Sequence, residues 1–104
     1  PESAGILSND SQILFSLHGN YPNPFNGETI ISYAIPKDGF VNISIFNVAG
    51  QFITSLVNDH QIHGEKNVIW DTKDATGNHV PSGVYYYVVS NGIYKEARTM
   101  TLLK

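Results

Sequence analysis

Apolar and polar residues alternate in short runs along this chain, which indicates β-strands. In residues 29–35 the side chains of Ile31, Tyr33 and Ile35 fall on one face, and residues 41–48 alternate in the same way. A period of two is the spacing at which the side chains of a strand share a face. No window of helical length carries an apolar stripe without an interrupting Gly or Pro, and Ile and Val outnumber Leu and Ala. The pattern predicts an all-β fold.

Turn-forming residues divide the chain into seven predicted strands, the mark of a sandwich or barrel. Loops are expected at 18–27, 58–64 and 71–82. Seven short strands without a helix predict an immunoglobulin-like β-sandwich with Greek-key connections, and the absence of cysteine excludes its usual disulfide. The predicted strands are 13–17, 29–35, 41–48, 52–57, 66–70, 83–90 and 97–104.

The dipeptide Asn91-Gly92 lies between two strand-like runs and predicts a type I′ hairpin. With these two residues at the centre of the turn, Tyr85 pairs with Arg98, and Tyr86 points outward beside Ala97. Tyr85, Tyr87 and Val89 are assigned to the core, together with Met100 and Leu102 of the same parity. Without a disulfide between the sheets, the core depends on side-chain packing. Trp70 and these tyrosines are expected to supply it.

Glu96 and Arg98 share the parity of the predicted core residues, which is a conflict for two charged side chains. Two explanations remain open. Either both lie beyond the covered part of the sheet, or a bulge shifts the parity before Met100.

The composition narrows the classes of function. The 104 residues predict one domain over residues 12–104, preceded by a linker over residues 1–11 that joins it to a larger protein. Charged residues make up 14% of the chain, against about 25% in an average domain, and the net charge is −3. This balance argues against a nucleic-acid partner, and the short apolar runs argue against membrane insertion.

Candidate chemistry is sparse. Residues 71–78 are similar to a calcium loop, with Asp71 and Asp74 as ligands, but Lys73 and Ala75 occupy positions where an EF-hand needs oxygen. The alternative interpretation is a turn in which both aspartates bind backbone N–H groups. The four histidines show no metal spacing, and no nucleophile motif or carboxylate pair stands out. We therefore expect a protein that is not an enzyme, without cofactor or metal.

Four motifs, in order, give the chain a resemblance to a known family. Residues 20–26, followed by Thr29 and Ile30, resemble the opening motif of the type A C-terminal sorting domain of the type IX secretion system. Residues 45–51 are similar to its second motif, Gly64 with Trp70-Asp71 to its third, and residues 81–87 to its fourth. Residues 100–104 resemble its basic-ended terminus. The immunoglobulin-like domain of flagellar hook-capping proteins shares the fold and several of these motifs.

The resemblance implies a non-catalytic sorting signal on a secreted or cell-surface protein that passes through the periplasm. Its implied partners are the outer-membrane translocon and a sortase-like peptidase that cuts within the linker. The alternatives are a carbohydrate-binding module that uses Tyr86 or Trp70, and a spacer module of a secreted enzyme. As oligomeric state we expect a monomer or a weak dimer through an edge strand. The residues implied to carry the signal, with the basic Arg98 added for its charge, are Gly83, Tyr85, Arg98, Met100, Leu102, Leu103 and Lys104.

Overall fold

The computed structural model describes residues 15–104, which form seven β-strands and no helix. Over these residues no helix occurs that could cross a membrane. The predicted all-β class and strand count are confirmed. The predicted linker over 1–11 and the start of the first predicted strand lie outside the described residues. The strands are β1 (Ser16–Tyr21), β2 (Thr29–Ile35), β3 (Gly39–Asn47), β4 (Phe52–Gln61), β5 (Gly64–Trp70), β6 (Gly83–Asn91) and β7 (Tyr94–Leu102).

The strands form two antiparallel sheets that pack face to face. One sheet has the order β1-β2-β5 and the other β4-β3-β6-β7. The predicted inward faces of β2, β3 and β6 are buried, and Trp70 is fully enclosed. The immunoglobulin-like sandwich is therefore confirmed, with aromatic packing where a disulfide would otherwise connect the sheets. The residues that bury the most volume are Trp70, Tyr33, Tyr87, Ile31, Ile43 and Ile45.

Two strands extend into segments that the sequence predicted as loops. β1 continues through His18 to Tyr21, and β4 continues through Asn58 to Gln61. Both are edge strands, and their later residues are mostly exposed and polar, so the alternation of apolar residues disappears. A register shift between Leu17 and Gly19 in β1 further obscures the pattern.

The hairpin register differs from the predicted one by two residues. Asn91 pairs with Tyr94, so the two central residues of the turn are Gly92 and Ile93. Gly92 has φ 62° and Asn91 has no positive φ, which matches a type II′ turn with Gly at its first central position. Consequently Tyr85 pairs with Met100 rather than with Arg98.

In the same register Tyr86 pairs with Thr99 rather than with Ala97. An even shift leaves every side chain on its predicted face.

Glu96 and Arg98 do lie on the inner face of β7, and β6 and β7 pair without any bulge. Glu96 lies opposite Val89 and Arg98 opposite Tyr87, at the open side of the sandwich where both remain partly exposed. The Arg98 Nη2 atom donates to the Leu17 carbonyl in the other sheet at 2.9 Å. The explanation by a bulge is wrong, and Arg98, which also bonds Glu96 on its own strand, connects the two sheets.

Candidate recognition site

The directions of the seven strands bring the family-like motifs to one end of the sandwich. β1, β3, β5 and β7 finish at this end, and β2, β4 and β6 begin there. The motif end is defined here as residues 22–28, 49–51, 71–83 and 103–104. Segments far apart in sequence therefore share one surface.

The loop that follows β1 binds the end of β7. The Phe25 N–H donates to the Thr101 carbonyl at 3.0 Å, and the Leu103 N–H donates to the Phe25 carbonyl at 2.8 Å. The side chain of Asn23 accepts from the Thr101 N–H, and that of Asn26 donates to the Leu103 carbonyl, both at 3.0 Å. This is one rung of a parallel ladder on the outer edge of β7. The opening motif thus holds residues 101–103 in a fixed path.

The two prolines of this loop, Pro22 and Pro24, therefore do not prevent it from pairing with β7. Phe25 is buried, with its ring 5.9 Å from that of Trp70. Tyr21 is 81% exposed and does not cover this end of the sandwich. The prolines instead border an open apolar hollow of about 320 Å³, lined by Pro22, Pro24, Phe25, Asn26 and Leu103.

The last two residues have contrasting environments. The Leu103 side chain is 55% exposed beside this hollow. The Lys104 N–H donates to the Ser82 Oγ atom at 2.9 Å, and its ammonium donates to the Val80 carbonyl. Leu103 therefore presents an apolar side chain to solvent, while Lys104 fastens residues 103–104 to the loop before β6.

Tyr85 is a structural residue of this end. Its hydroxyl donates to the Pro81 carbonyl, four residues upstream, at 2.7 Å, the arrangement known as a tyrosine corner. Its ring lies edge-on to Trp70 at 5.2 Å, and burial raises the pKa of its phenol. Gly83 begins β6 with φ 154°, a conformation that favours glycine, and pairs with Leu102.

The seven residues predicted to carry the signal fall into three groups. Tyr85, Met100 and Leu102 are buried, so their side chains can influence a partner only through the fold. Gly83, Leu103 and Lys104 lie together at the motif end. Arg98 is separate from them, in the middle of β7, where it contacts β1.

The candidate calcium loop uses its carboxylates for turns, as the alternative interpretation predicted. The Asp74 Oδ1 atom accepts from the N–H groups of Thr76 and Asn78 at 2.9 and 3.0 Å, and Asp71 accepts from the Lys73 N–H at 3.2 Å. The hydroxyl of Thr76, followed by these N–H groups, lowers the pKa of Asp74. Within residues 15–104 no cluster of three acidic or histidine side chains could hold a metal ion.

The histidines are structural pairs or surface residues. His18 Nε2 lies 3.1 Å from Glu65 Oε1, and His63 Nδ1 lies 2.8 Å from Asp38 Oδ1. Accepting these bonds from His63, first from its N–H and then from its ring, lowers the pKa of Asp38. Both side chains of each pair are exposed to solvent, so neither pair forms an enclosed site.

An exposed aromatic patch on the outer face of the larger sheet was missed by the sequence reasoning, apart from Tyr86. Tyr86 is 38% exposed, as predicted, and Phe52 is 56% exposed. Phe46 pairs with both of them in the sheet, and its ring lies 5.9 Å from that of Phe52. The available signal was that Phe46 has the parity opposite to the buried face of β3. Trp70 has no exposed surface and cannot stack on a sugar.

Comparisons with solved structures show the same sandwich in three bacterial proteins. Dimeric latent PorU from Porphyromonas gingivalis matches with a TM-score of 0.66 and 18% identity, over 86% of this chain and 9% of PorU. PorZ, described as an essential surface component of the type-IX secretion system of the same organism, matches with a TM-score of 0.56 and 20% identity, over 85% of this chain and 11% of PorZ. This chain therefore spans only about a tenth of either protein.

FlgD from Xanthomonas campestris, described in connection with hook capping in flagellar assembly, matches with a TM-score of 0.59 and 20% identity. The match covers 91% of this chain and 72% of that one. Identities at this level establish the fold alone. No match is found among curated proteins.

The model of the FlgD Ig-like domain family matches residues 23–93, which is more than half of the chain. The matched part includes Phe25, the tyrosine corner at Tyr85 and both central residues of the β6–β7 turn, whereas the partners of Phe25 on β7 lie beyond it. The chain belongs to the FlgD Ig-like domain family.

Proposed function

We propose that this domain is a non-catalytic sorting signal, which directs a preceding passenger through the type IX secretion machinery to the cell surface or beyond. Its partners in this proposal are the outer-membrane translocon and a sortase-like peptidase that acts before the domain. The observation that carries the proposal is the meeting of the opening motif and residues 101–104 at one exposed end of the sandwich. The likeness to PorZ, a surface component of that system, supports it.

The position of the chain entry agrees with this proposal. Phe15, the first described residue, packs between Tyr33 and Tyr94, near the end opposite to residues 103–104. The described part of the chain therefore enters the sandwich at the end far from residues 103–104. The motif end would stay accessible to a partner while the passenger is still attached.

The experiment measures export of a fluorescent passenger fused before residue 1, in a host that has the type IX system. Deletion of residues 101–104 is a poor test by itself, because it removes the fully buried Leu102 and the Phe25 rung. Leu103→Ser is sharper, since it changes an exposed side chain without altering the backbone path. We expect the passenger to accumulate in the periplasm when Leu103 is replaced.

The matched control is Ile93→Ser, at the hairpin of the opposite end, where the side chain is fully exposed. Both variants are first shown to retain the unfolding midpoint of the parent domain. Export that is equal for the parent, Leu103→Ser and Ile93→Ser would contradict the recognition of Leu103. Equal export when the whole domain is removed would refute the sorting function.

A further inference from the structure

A continuous uncharged surface covers one end of the outer face of the larger sheet. The outer aromatic face is defined as Phe46, Val48, Phe52, Val84 and Tyr86. Four of these side chains are between 38% and 66% exposed, and Phe46 is partly buried between its neighbours. Exposed apolar patches of this kind on a small domain mark sites of interaction.

The neighbouring outward side chains are also uncharged. The row beyond Phe46 and Tyr86 consists of Ser55, Ser44, Val88 and Ala97, while Thr99 and Thr101 complete the face on β7. Depletion of charge around aromatic residues is typical of the centre of a protein interface. Hydroxyl groups at the border supply the polar rim.

The outer aromatic face joins the motif end without a break. Val48 and Val84 line one hollow of about 260 Å³, and its other wall includes Pro81, Ser82 and Gly83. Ser82 is the residue that accepts from the Lys104 N–H. A partner seated over residues 103–104 would therefore lie next to the aromatic rings.

The size of the face indicates which occupant it suits. Three rows across four strands, with neighbouring strands about 4.8 Å apart, give roughly 400 Å². A stable interface needs about 800 Å² from each partner, so a second copy on this face alone would not form a stable dimer. A partner that covers both this face and the motif end approaches the required area.

We propose that the outer aromatic face is the second half of the docking surface, and that it receives an uncharged apolar surface of the protein that binds residues 103–104. This inference rests on the proposed function. The face contributes apolar burial from Phe52, Val84 and Tyr86, and the motif end contributes Leu103. Truncating one central aromatic residue of such an interface typically weakens binding about fivefold or more.

The test is site-specific photo-crosslinking in the secreting host, with the full chain fused to its passenger. A photoreactive amino acid is placed at Val48, at Leu103, and at Ile69 as the matched control. Ile69 is 52% exposed on the outer face of the other sheet. We expect positions 48 and 103 to yield an adduct of the same mass with the same protein, and position 69 to yield none.

The outcomes separate this inference from the proposed function. Position 103 could capture a partner while position 48 captures nothing, captures a different protein, or captures a second copy of this chain. Each of these results would overturn the inference and leave the sorting function standing. If position 103 captures nothing and Leu103→Ser is exported normally, the proposed function fails. An adduct at position 48 with a polysaccharide, or retardation of the domain in a glycan gel that Tyr86→Ser abolishes, would assign the face to carbohydrate instead.

Two substitutions provide an independent measurement. Phe52→Ser is expected to lower the rate of export about fivefold or more, whereas Ile69→Ser leaves it unchanged. If Phe52→Ser lowers the unfolding midpoint, Val48→Thr replaces it, because threonine keeps the branched shape of valine at this exposed turn position. Normal export of whichever of these two variants retains the parent unfolding midpoint would overturn the inference.

Discussion

Replacing Arg98 should destabilise the domain, because its guanidinium group connects the two sheets. The Nη2 atom donates to the Leu17 carbonyl across the sandwich at 2.9 Å, and the Nε atom donates to Glu96 Oε2 at 2.7 Å. Arg98→Met keeps most of the apolar stem and removes both bonds. It also leaves the Glu96 carboxylate without its cation.

The magnitude follows from the exposure of the pair. A hydrogen bond from a charged group contributes about 1.5–3 kcal/mol, and the lower limit applies here because the Arg98 side chain is 39% exposed. The ion pair with Glu96 is also partly solvated and adds about 0.5 kcal/mol. We therefore expect Arg98→Met to lower the free energy of unfolding by about 2 kcal/mol. Arg98→Lys should lose roughly half as much, since one ammonium cannot reach both acceptors in the same geometry.

The assay is urea unfolding followed by tryptophan fluorescence of the buried Trp70. With a urea dependence of about 1–3 kcal/mol per molar, the midpoint should fall by about 1 M. Lys95→Met is the matched control, because it removes a cation from the exposed side of the same strand. A loss for Arg98→Met no larger than that for Lys95→Met would refute the assignment of Arg98 as an inter-sheet connection.

Three further predictions concern tyrosines and titration. Tyr85→Phe should lower the free energy of unfolding by about 1 kcal/mol through loss of the Pro81 bond, whereas Tyr86→Phe should change it little; equal losses in urea unfolding would contradict the tyrosine corner. Hydrogen bonds from Tyr94 and then Arg98 lower the pKa of Glu96, so its contribution to stability is present above pH 4.5 and is lost as the pH falls below it. Urea midpoints against pH should accordingly fall less steeply in Glu96→Gln. Burial, followed by the bond to Glu96, raises the pKa of Tyr94 to about 12, so ultraviolet titration of Tyr94→Phe should lack one of the phenolates that form late in the parent domain. The stability that Tyr94 contributes is present below pH 10 and is lost as the pH rises toward 12.

The central strands were predictable because one face of each strand is buried in the core and the other is more exposed, which produces an alternating sequence pattern. β2 has the predicted bounds, and Ile31, Tyr33 and Ile35 are buried as expected. The ends of β1 and β4 were not predictable, because an edge strand exposes much of its length and needs no apolar alternation. His18 and His60 therefore looked like loop residues, although both lie within strands and His60 pairs with Phe40.

The hairpin shows the limit of local turn chemistry. Asn-Gly suits the centre of a type I′ turn, and Gly at the first central position equally suits a type II′ turn. The choice depends on which register pairs β6 with β7 best. The observed register places Tyr85 opposite Met100 and Gly83 opposite Leu102, which buries Met100 and Leu102. The burial of these two side chains depends on how the two strands pair, so the Asn91-Gly92 dipeptide alone does not predict it.

The family-like motifs indicate the fold more directly than the function, for a physical reason. Most residues of the family-like motifs have a structural role: Phe25 pairs with the end of β7, Asn23 caps Thr101, and Tyr85 forms the corner. Such motifs identify the sandwich, and a sorting domain and a hook-capping domain need the same sandwich. Information that separates the two functions must lie in side chains that the fold does not use. In this chain the exposed apolar residues at and beside the motif end, such as Leu103 and Phe52, are side chains of this kind. A sequence comparison that weights these exposed positions should therefore discriminate sorting from capping better than one that weights the motifs.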